Sequence, residues 1–332
     1  MKILYFANRY MGYDKAIYDE MLRQGHEVDM FDERSVKSSF SKGLFKIFPG
    51  MFTLHTNSYY RKIISATHEK QYDVVFFIKC DMPSPAILRS LRASFPQAKF
   101  CLYLWDSLEN VHGIKSKIPL FDYVSSFDRK DCETHKLHFR PLFFCKEYEN
   151  DKAVNNELTE KKYDISFIGT IHSDRYKILK RVYEEAEARN MHCFYYLYLQ
   201  KKYLFYLYKF IKREFRKAKA TEFSFKKLSS NEISKIVDQS KAIIDIQHPK
   251  QTGLTMRTIE MIGMKKKFIT TNENIKEYDF YLPQNILVIN RDNPVIDADF
   301  FKTDYVDIAE EIYYKYGITE WVHEVIDAKW SS

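Results

Sequence analysis

The chain has 332 residues, of which 45% are hydrophobic and 29% are charged, a balance that excludes a disordered or collagen-like chain. Its length exceeds what one typical hydrophobic core organises, so two domains are expected. Its 52 Lys and Arg residues against 45 Asp and Glu residues give a formal net charge of +7, which favours anionic partners such as phosphates, nucleic acid or a membrane surface.

Cysteine spacing and hydropathy indicate the cellular location of the protein. No uninterrupted apolar run of about 18 residues occurs, and the N-terminal segment meets polar residues too early for a signal peptide. The five cysteines are widely separated and form none of the close pairs of redox or metal motifs. We therefore expect a soluble, cytoplasmic protein whose thiols are reduced.

The first half of the chain alternates predicted strands with predicted helices. Continuous apolar runs that predict strands lie at 2–7, 26–31, 73–78, 99–105 and 123–127, and helices are predicted at 13–23 and 85–94. Continuous runs, unlike alternating ones, are typical of parallel strands covered on both faces. The pattern predicts a doubly wound α/β domain over residues 1–148.

A polar segment at 149–162, nearly free of large aliphatic residues, is interpreted as an interdomain linker. The alternation then restarts over 163–317. Strands are predicted at 164–169, 193–199, 242–246, 268–271 and 286–289, and helices at 174–190, 201–219, 231–239, 255–264, 305–316 and 320–328. The fold class is thus α/β with two Rossmann-like domains, and a ligand is expected at the carboxyl ends of the strands, in a cleft between the two sheets.

The most informative segment is 245–271, DIQHPKQTGLTMRTIEMIGMKKKFITT. A strand is followed by a polar loop and a helix start, where free amides and a partial positive charge suit a diphosphate. Arg257 would add a bidentate phosphate contact, and Glu260 would accept hydrogen bonds from ribose hydroxyls. The predicted donor-binding residues of this segment are Gln251, Thr252, Gly253, Leu254, Thr255, Arg257 and Glu260. The alternative is an ordinary helix with a polar first turn and no ligand.

This segment resembles the donor-site helix of retaining-type GT-B glycosyltransferases, particularly compact bacterial proteins related to spore-maturation and lipopolysaccharide-biosynthesis proteins. In that family a glycine loop leads into a helix that carries Arg and then Glu, followed by a Gly–basic turn and a strand. The positions that match are Gly253, Arg257, Glu260 and Gly263. Many members have a glutamate where this chain has Thr252, so a retaining or an inverting outcome stays open. The resemblance also implies that a C-terminal helix, at about 318–332, returns to the first domain.

A second resemblance, to the acceptor-side domain of the same family, lies in LYLWD at 102–106, FDYVSSFDRKD at 121–131 and RPLFF at 140–144. Asp106 follows a predicted strand, where a carboxylate would act as general base or stabilise an oxocarbenium-like transition state. Arg9, Gly12 and Asp128 are predicted on the acceptor side. The alternative is that Asp106 or Asp128 only caps the helix that follows it.

The segment IGTIHSDR at 168–175 adds further donor-side candidates. Gly169, directly after the predicted strand, would let backbone approach a phosphate, with Thr170 beside it and Arg175 at a helix start. His172 is interpreted as an exposed loop residue without a role. The three spaced glycines of a dinucleotide fingerprint are missing, which disfavours a nicotinamide-dependent oxidoreductase.

The function that the resemblance implies is transfer of a sugar from a nucleotide-sugar donor to a growing bacterial surface glycan: lipopolysaccharide, O-antigen or capsule. The nucleotide sugar is a co-substrate, and no other cofactor is predicted. No metal site is predicted either, because the single Asp-X-Asp run, at 297–299, is interpreted as a loop. A non-catalytic nucleotide- or nucleic-acid-binding protein is the alternative, disfavoured because the aromatic residues fall mostly in buried-strand runs.

Two basic, aromatic stretches, at 201–219 and 42–52, have the composition of a membrane-surface helix. They predict peripheral contact with the anionic inner face of the cytoplasmic membrane, where a glycan or lipid-linked acceptor would be found. The alternative for the first stretch is a helix that packs its aromatic side chains on the second domain and leaves its lysines solvated.

Overall fold

A computed structural model describes residues 1–35, 53–111, 113–150, 161–249 and 252–327, and divides the chain into two compact units. Unit 1 comprises Met1–Lys146 and Tyr314–Ser332, and unit 2 comprises Glu147–Tyr313. Each unit contains a six-stranded sheet in which all strand pairs are parallel. The predicted α/β class with two Rossmann-like domains is confirmed. Of the predicted linker, residues 151–160 lie outside the described residues.

Unit 1 has the sheet order β2-β1-β3-β4-β5-β6. Its strands are β1 (Lys2–Ala7), β2 (Glu27–Asp32), β3 (Val74–Ile78), β4 (Lys99–Leu104), β5 (Tyr123–Ser126) and β6 (His138–Phe139). Its helices are α1 (Tyr13–Arg23), α2 (Thr53–Thr67), α3 (Pro85–Ser94), α4 (Arg129–His135) and, at the end of the chain, α10 (Ile318–Asp327).

Both faces of the first sheet are buried, which is why its strands are continuous apolar runs. On one face, Phe6 stacks on Phe77 with ring centroids 4.4 Å apart. On the other, Trp321 of α10 is fully buried, 4.7 Å from the Tyr103 ring and 4.5 Å from the Phe143 ring. The last helix is therefore part of the core of unit 1.

Unit 2 has the sheet order β12-β11-β10-β7-β8-β9. Its strands are β7 (Tyr163–Thr170), β8 (Cys193–Tyr198), β9 (Phe223–Ser224), β10 (Ser240–Asp245), β11 (Lys267–Thr270) and β12 (Ile286–Val288). Its helices are α5 (Arg175–Glu187), α6 (Lys202–Ile211), α7 (Ser230–Asp238) and α8 (Met256–Gly263); α9 (Glu310–Lys315) begins in unit 2 and ends in unit 1.

Three predicted elements differ from those observed. The helix predicted at 201–219 ends at Ile211, because Lys212 has extended backbone and its ammonium group donates to the Ser173 carbonyl oxygen. The helix predicted at 305–316 forms only over Glu310–Lys315. The loop predicted at 297–299 instead begins a 3₁₀ helix, Ala298–Lys302, that the Asp297 side chain caps. None of the helices in the described ranges has the length and apolar character needed to cross a bilayer.

Candidate functional site

The candidate site lies in unit 2, at the carboxyl ends of β7 and β10. These strands are neighbours in the sheet although β8 and β9 separate them in the chain. The connections that follow them therefore leave toward opposite sides of the sheet, which is the switch point where open α/β sheets bind ligands. The loop after β7 leads to α5, and the loop after β10 leads to α8.

A buried carboxylate fixes the start of α8 against the end of β10. Thr255 is the N-cap and accepts a hydrogen bond from the Thr258 amide at 3.2 Å. Both hydroxyls donate to Asp245, Thr255 at 2.7 Å and Thr258 at 2.8 Å. Because Thr255 uses its side chain in this way, it can offer a ligand only its backbone, together with the first free amides of the helix.

Two asparagines that sequence reasoning missed hold the glycine loop in place. Asn272 Nδ2 donates to the carbonyl oxygens of Thr252 at 3.2 Å and Gly253 at 3.4 Å, and Asn274 Nδ2 donates to Thr252 at 3.2 Å. Gly253 and Leu254 are buried in this arrangement. Of the predicted donor residues, Gln251 lies outside the described residues.

Arg175 joins the two loops of the site. Its Nε donates to the Ile246 carbonyl at 2.6 Å, and its Nη1 donates to the Thr170 carbonyl at 3.0 Å. The guanidinium therefore links the chain after β10 to the end of β7. Arg175 therefore holds the two loops together through Nε and Nη1. Its guanidinium also brings a positive charge to the site.

Three arginines lie near one another here. Burial lowers the pKa of Arg175, the carboxylates of Asp245 and Asp174 raise it, and the guanidiniums of Arg257 and Arg291 lower it again, with a lowered pKa as the result. Three guanidiniums beside two carboxylates leave an excess of positive charge at this edge of the sheet. An excess of this kind suits an anion such as a diphosphate.

Arg291 is the member of this cluster that the sequence analysis did not select. It lies three residues past β12, at the same edge of the sheet, and its Nη1 is 2.8 Å from both oxygens of Asp174. Its Nη2 donates to the Gln247 carbonyl at 2.8 Å. The available signal was its place after a strand, because carboxyl ends of parallel strands share one edge.

His172 is half-buried beside the cluster, so its interpretation as an exposed loop residue was wrong. Burial together with the positive charges of Arg175, His248 and Lys212 lowers its pKa to about 4. Its ring centroid lies 5.9 Å from that of His248. At neutral pH His172 is therefore uncharged, and its depressed pKa reflects first its burial and then the positive charge of this edge of unit 2.

Arg257 and Glu260, the predicted phosphate and ribose ligands, interact with each other on α8. Arg257 Nε lies 3.7 Å from Glu260 Oε2, with side chains 24% and 6% exposed respectively. Of the two, the Arg257 guanidinium is the more accessible. The predicted order along the helix, with Arg in the first turn and Glu one turn later, matches the observed positions.

Gly169 lies within β7, as the predicted strand at 164–169 has it, and pairs with Leu197 of β8. It does not lie after the strand, where a backbone approach to a phosphate was predicted. A Cβ atom at this position would be 2.9 Å from Cζ of the Phe167 ring, which lies on the same face of the strand two residues earlier. The observed reason for glycine is therefore the packing of the buried Phe167 ring.

Unit 1 has its own charged cluster, at the carboxyl ends of β3 and β4. The Lys79 ammonium is 2.6 Å from Asp106 and 3.8 Å from Asp81, and Arg34 Nη2 is 3.2 Å from Asp81. Burial lowers the pKa of Lys79, but Asp106 and Asp81 raise it more, so that the lysine stays charged. Beside them, burial and the Asp81 charge raise the pKa of the fully buried Glu33, which favours its protonated form.

Asp128 caps a helix, and Asp106 does not cap a described helix. Asp128 is buried, caps α4 by accepting from the Lys130 and Asp131 amides at 3.1 and 3.4 Å, and accepts from Ser107 Oγ at 2.7 Å. Asp128 is thus a helix cap, the alternative to its predicted acceptor-side role. Asp106 caps no described helix, and its side chain is 42% exposed.

Aromatic side chains lie next to Asp106. Trp105 is half-buried, with its ring 5.6 Å from that of Tyr13 and 6.3 Å from that of the exposed Tyr10. The loop that carries Tyr10 turns at Gly12, whose φ of +89° suits glycine. Arg9, in the same loop, is 80% exposed and 3.7 Å from Asp32.

No protein-family model and no curated protein matches the chain. Solved structures resemble it over nearly its whole length. A glycosyltransferase from Rickettsia africae ESF-5 has a TM-score of 0.62 at 12% identity, covering 98% of this chain and 97% of its own. An alpha-glucosyltransferase in complex with UDP and a 13-mer DNA has a TM-score of 0.58 at 14% identity, covering 98% of each chain. HepE from Anabaena in complex with UDP-glucose has a TM-score of 0.56 at 12% identity, covering 99% of this chain and 96% of its own.

The chain therefore has the fold of GT-B glycosyltransferases, as the resemblance of the 245–271 segment implied. At identities of 12–14% the likeness concerns the fold.

Proposed function

We propose that this protein is a glycosyltransferase that moves a sugar from a nucleoside-diphosphate sugar to a growing bacterial surface glycan. The observation that carries the proposal is a group of three arginines at the switch point of a Rossmann-like unit. Arg175 donates to the Ile246 carbonyl and Arg291 to the Gln247 carbonyl in the chain after β10, and Arg257 lies in the first turn of α8. The donor is proposed to be a uridine-linked sugar, because two of the similar structures contain UDP or UDP-glucose.

The arginines would neutralise the diphosphate, which leaves with the nucleotide when the glycosidic bond to the donor breaks. Guanidinium groups match phosphate geometry with two parallel hydrogen bonds. The helix start would add amide donors and a partial positive charge. We propose that these groups stabilise the leaving diphosphate without a bound metal ion, so that the activity persists in the presence of EDTA.

The acceptor is proposed to bind unit 1 beside Asp106. A half-exposed carboxylate after a strand end can take the proton of an attacking hydroxyl or stabilise positive charge on the sugar ring. The rings of Tyr10 and Trp105 offer apolar faces with polar edges, the kind of surface on which a sugar ring can pack. A lipopolysaccharide, O-antigen or capsule acceptor follows from the sequence resemblance and is part of this proposal.

The proposed place of action is the cytoplasm, at the inner face of the cytoplasmic membrane, because the acceptor is proposed to be lipid-linked. Contact with an anionic membrane belongs to the same proposal.

Calorimetry with UDP, CDP, GDP and ADP tests the donor site directly. We expect UDP to bind more tightly than CDP, GDP and ADP, and Arg257→Ala to weaken UDP binding by about 1.5–3 kcal/mol, the range for charge-assisted hydrogen bonds. Arg189→Ala is the matched control, since this exposed arginine of unit 2 pairs with Glu185 of α5. Equal affinity of the wild type and Arg257→Ala would overturn the donor site.

Product analysis then separates transfer from other chemistry on a nucleotide sugar. We expect release of the nucleoside diphosphate to depend on an added glycan acceptor. Hydrolysis or epimerisation of the donor without an acceptor would contradict transferase activity while leaving the donor site intact. Binding of single-stranded DNA that is tighter than diphosphate binding, and that weakens steeply with salt, would instead favour the nucleic-acid alternative.

A further inference from the structure

Helix α6 of unit 2 presents an apolar stripe to solvent. The stripe consists of Tyr203, Tyr206, Leu207, Phe210 and Ile211, which are between 46% and 85% exposed. Their spacing of i, i+3, i+4, i+7 and i+8 places all five on one side of a helix. Single exposed apolar residues are ordinary on a protein surface, but a contiguous stripe of this kind marks an interaction site.

The opposite side of the same helix fixes its orientation. Phe205 is buried, with its ring 5.3 Å from that of Phe223. Tyr208 lies 5.3 Å from the buried ring of Phe215. One aromatic face of the helix is therefore packed on unit 2. The exposed stripe is on the other side, and turning the helix to bury the stripe would expose Phe205 and Tyr208.

Positive charge borders the stripe at both ends. Exposed Lys and Arg residues precede and follow it: Lys201, Lys202, Arg213, Arg216, Lys217 and Lys219. Residues 201–219 contain eight Lys or Arg residues and one acidic residue, Glu214. An apolar stripe with tyrosines, flanked by cations, is complementary to an anionic bilayer, whose headgroups attract the charges and whose acyl boundary accepts the rings.

We propose that the exposed stripe of α6 docks the protein on an anionic lipid surface. The excess of positive over negative charge favours a lipid surface over a second copy of this chain, because two copies of such a helix would bring like charges together. The two tyrosines fit the same occupant, since their apolar rings and polar hydroxyls suit the boundary between acyl chains and headgroups.

A hydrogen bond connects the docking helix to the candidate donor site. Lys212, the residue after α6, donates from its ammonium group to the Ser173 carbonyl oxygen at 2.6 Å, in the loop that follows β7. Docking would therefore bring that loop close to the lipid surface. An advantage for lipid-linked acceptors rests on the proposed function, whereas lipid docking itself does not.

Sedimentation with vesicles tests the docking surface without donor or acceptor, so its outcome is independent of transferase activity. Vesicles of phosphatidylcholine with phosphatidylglycerol are compared with vesicles of phosphatidylcholine alone, at low and high salt. We expect binding to the anionic vesicles at low salt and release at high salt, since ions screen charges over about 8 Å at physiological ionic strength.

Two variants with matched controls assign the binding to α6. Phe210→Ser should weaken partitioning about tenfold or more, whereas Val295→Ser, at another exposed apolar residue of unit 2, should not. The double variant Lys201→Gln/Lys202→Gln should weaken it about 30-fold, whereas Lys177→Gln/Lys180→Gln on α5 should not. Thermal unfolding and diphosphate binding serve as checks that each variant is folded.

Three outcomes would overturn the proposal: equal binding to anionic and neutral vesicles, unchanged binding of Phe210→Ser, or equal losses in the variants and their controls. Sedimentation velocity tests whether a second copy of this chain covers the stripe instead. A dimer of the wild type that Phe210→Ser converts to a monomer, with no vesicle binding by either, would assign the stripe to a second copy of this chain and would refute lipid docking.

Discussion

The Lys79 ammonium lies 2.6 Å from the Asp106 carboxylate, at the carboxyl ends of the neighbouring strands β3 and β4. Asp81 lies 3.8 Å from the same ammonium and 3.2 Å from Arg34 Nη2, so two cations stand beside two carboxylates. The ion pair fixes the position of the Asp106 carboxylate after β4. A proposed general base has to be held in position to take a proton from the attacking hydroxyl.

Replacing Asp106 tests its proposed catalytic role. We expect Asp106→Asn to lower kcat about 10²- to 10⁴-fold, because the amide accepts no proton, and to leave diphosphate affinity unchanged. The assay is steady-state transfer, combined with calorimetry of the diphosphate. Asp19→Asn, at an exposed carboxylate of α1, is the control. If both variants kept wild-type kcat, Asp106 would have no place in catalysis.

Removing the lysine tests whether the ion pair positions the proposed base. We expect Lys79→Met to lower kcat about tenfold or more and to leave diphosphate affinity unchanged, because Asp106 loses the partner 2.6 Å away that holds its carboxylate in place. Lys115→Met, at an exposed lysine of unit 1, should leave kcat at the wild-type value. A wild-type kcat in Lys79→Met would mean that the ion pair has no part in positioning Asp106.

Much of the fold could be predicted because parallel strands buried on both faces have a distinctive continuous apolar pattern. The start of α8 was also predictable, since Gly253, Thr255 and Arg257 combine a loop, a cap and a charge within a few residues. Contacts between residues far apart in the chain were not predictable. Arg291 reaches Asp174 across 117 residues, and no local spacing indicates such a pair. The role predicted for Gly169 was wrong because the way the Phe167 ring folds over that position depends on the packing of the whole sheet.

The Arg291 contact supplies a prediction about the donor site. Arg291→Ala should weaken diphosphate binding by about 1.5–3 kcal/mol, comparable to Arg257→Ala, if its guanidinium contributes to the cationic cluster. Asp174→Asn separates the two roles of Arg291: it removes the ion pair but keeps the charge of the guanidinium, so binding should hold or strengthen. Calorimetry of all three variants is the measurement. Equal losses in Arg291→Ala and Asp174→Asn would instead indicate that the pair is only structural.

The depressed pKa of His172, about 4 in the folded protein against an ordinary value of 6.5, makes stability depend on pH. Between these values the unfolded chain binds a proton that the folded chain does not, so the free energy of unfolding should fall as pH falls from 6.5 to 4. For a half-buried group, solvent screening reduces the effect to about 1–2 kcal/mol. His172→Gln should flatten this part of the curve in urea unfolding, and His192→Gln, at an exposed histidine, should not. Bound diphosphate should reduce this fall in the free energy of unfolding, because its negative charge offsets the cations that help to lower the pKa of His172. If the free energy of unfolding fell equally with pH in the wild type and in both variants, His172 would not be the cause of the fall.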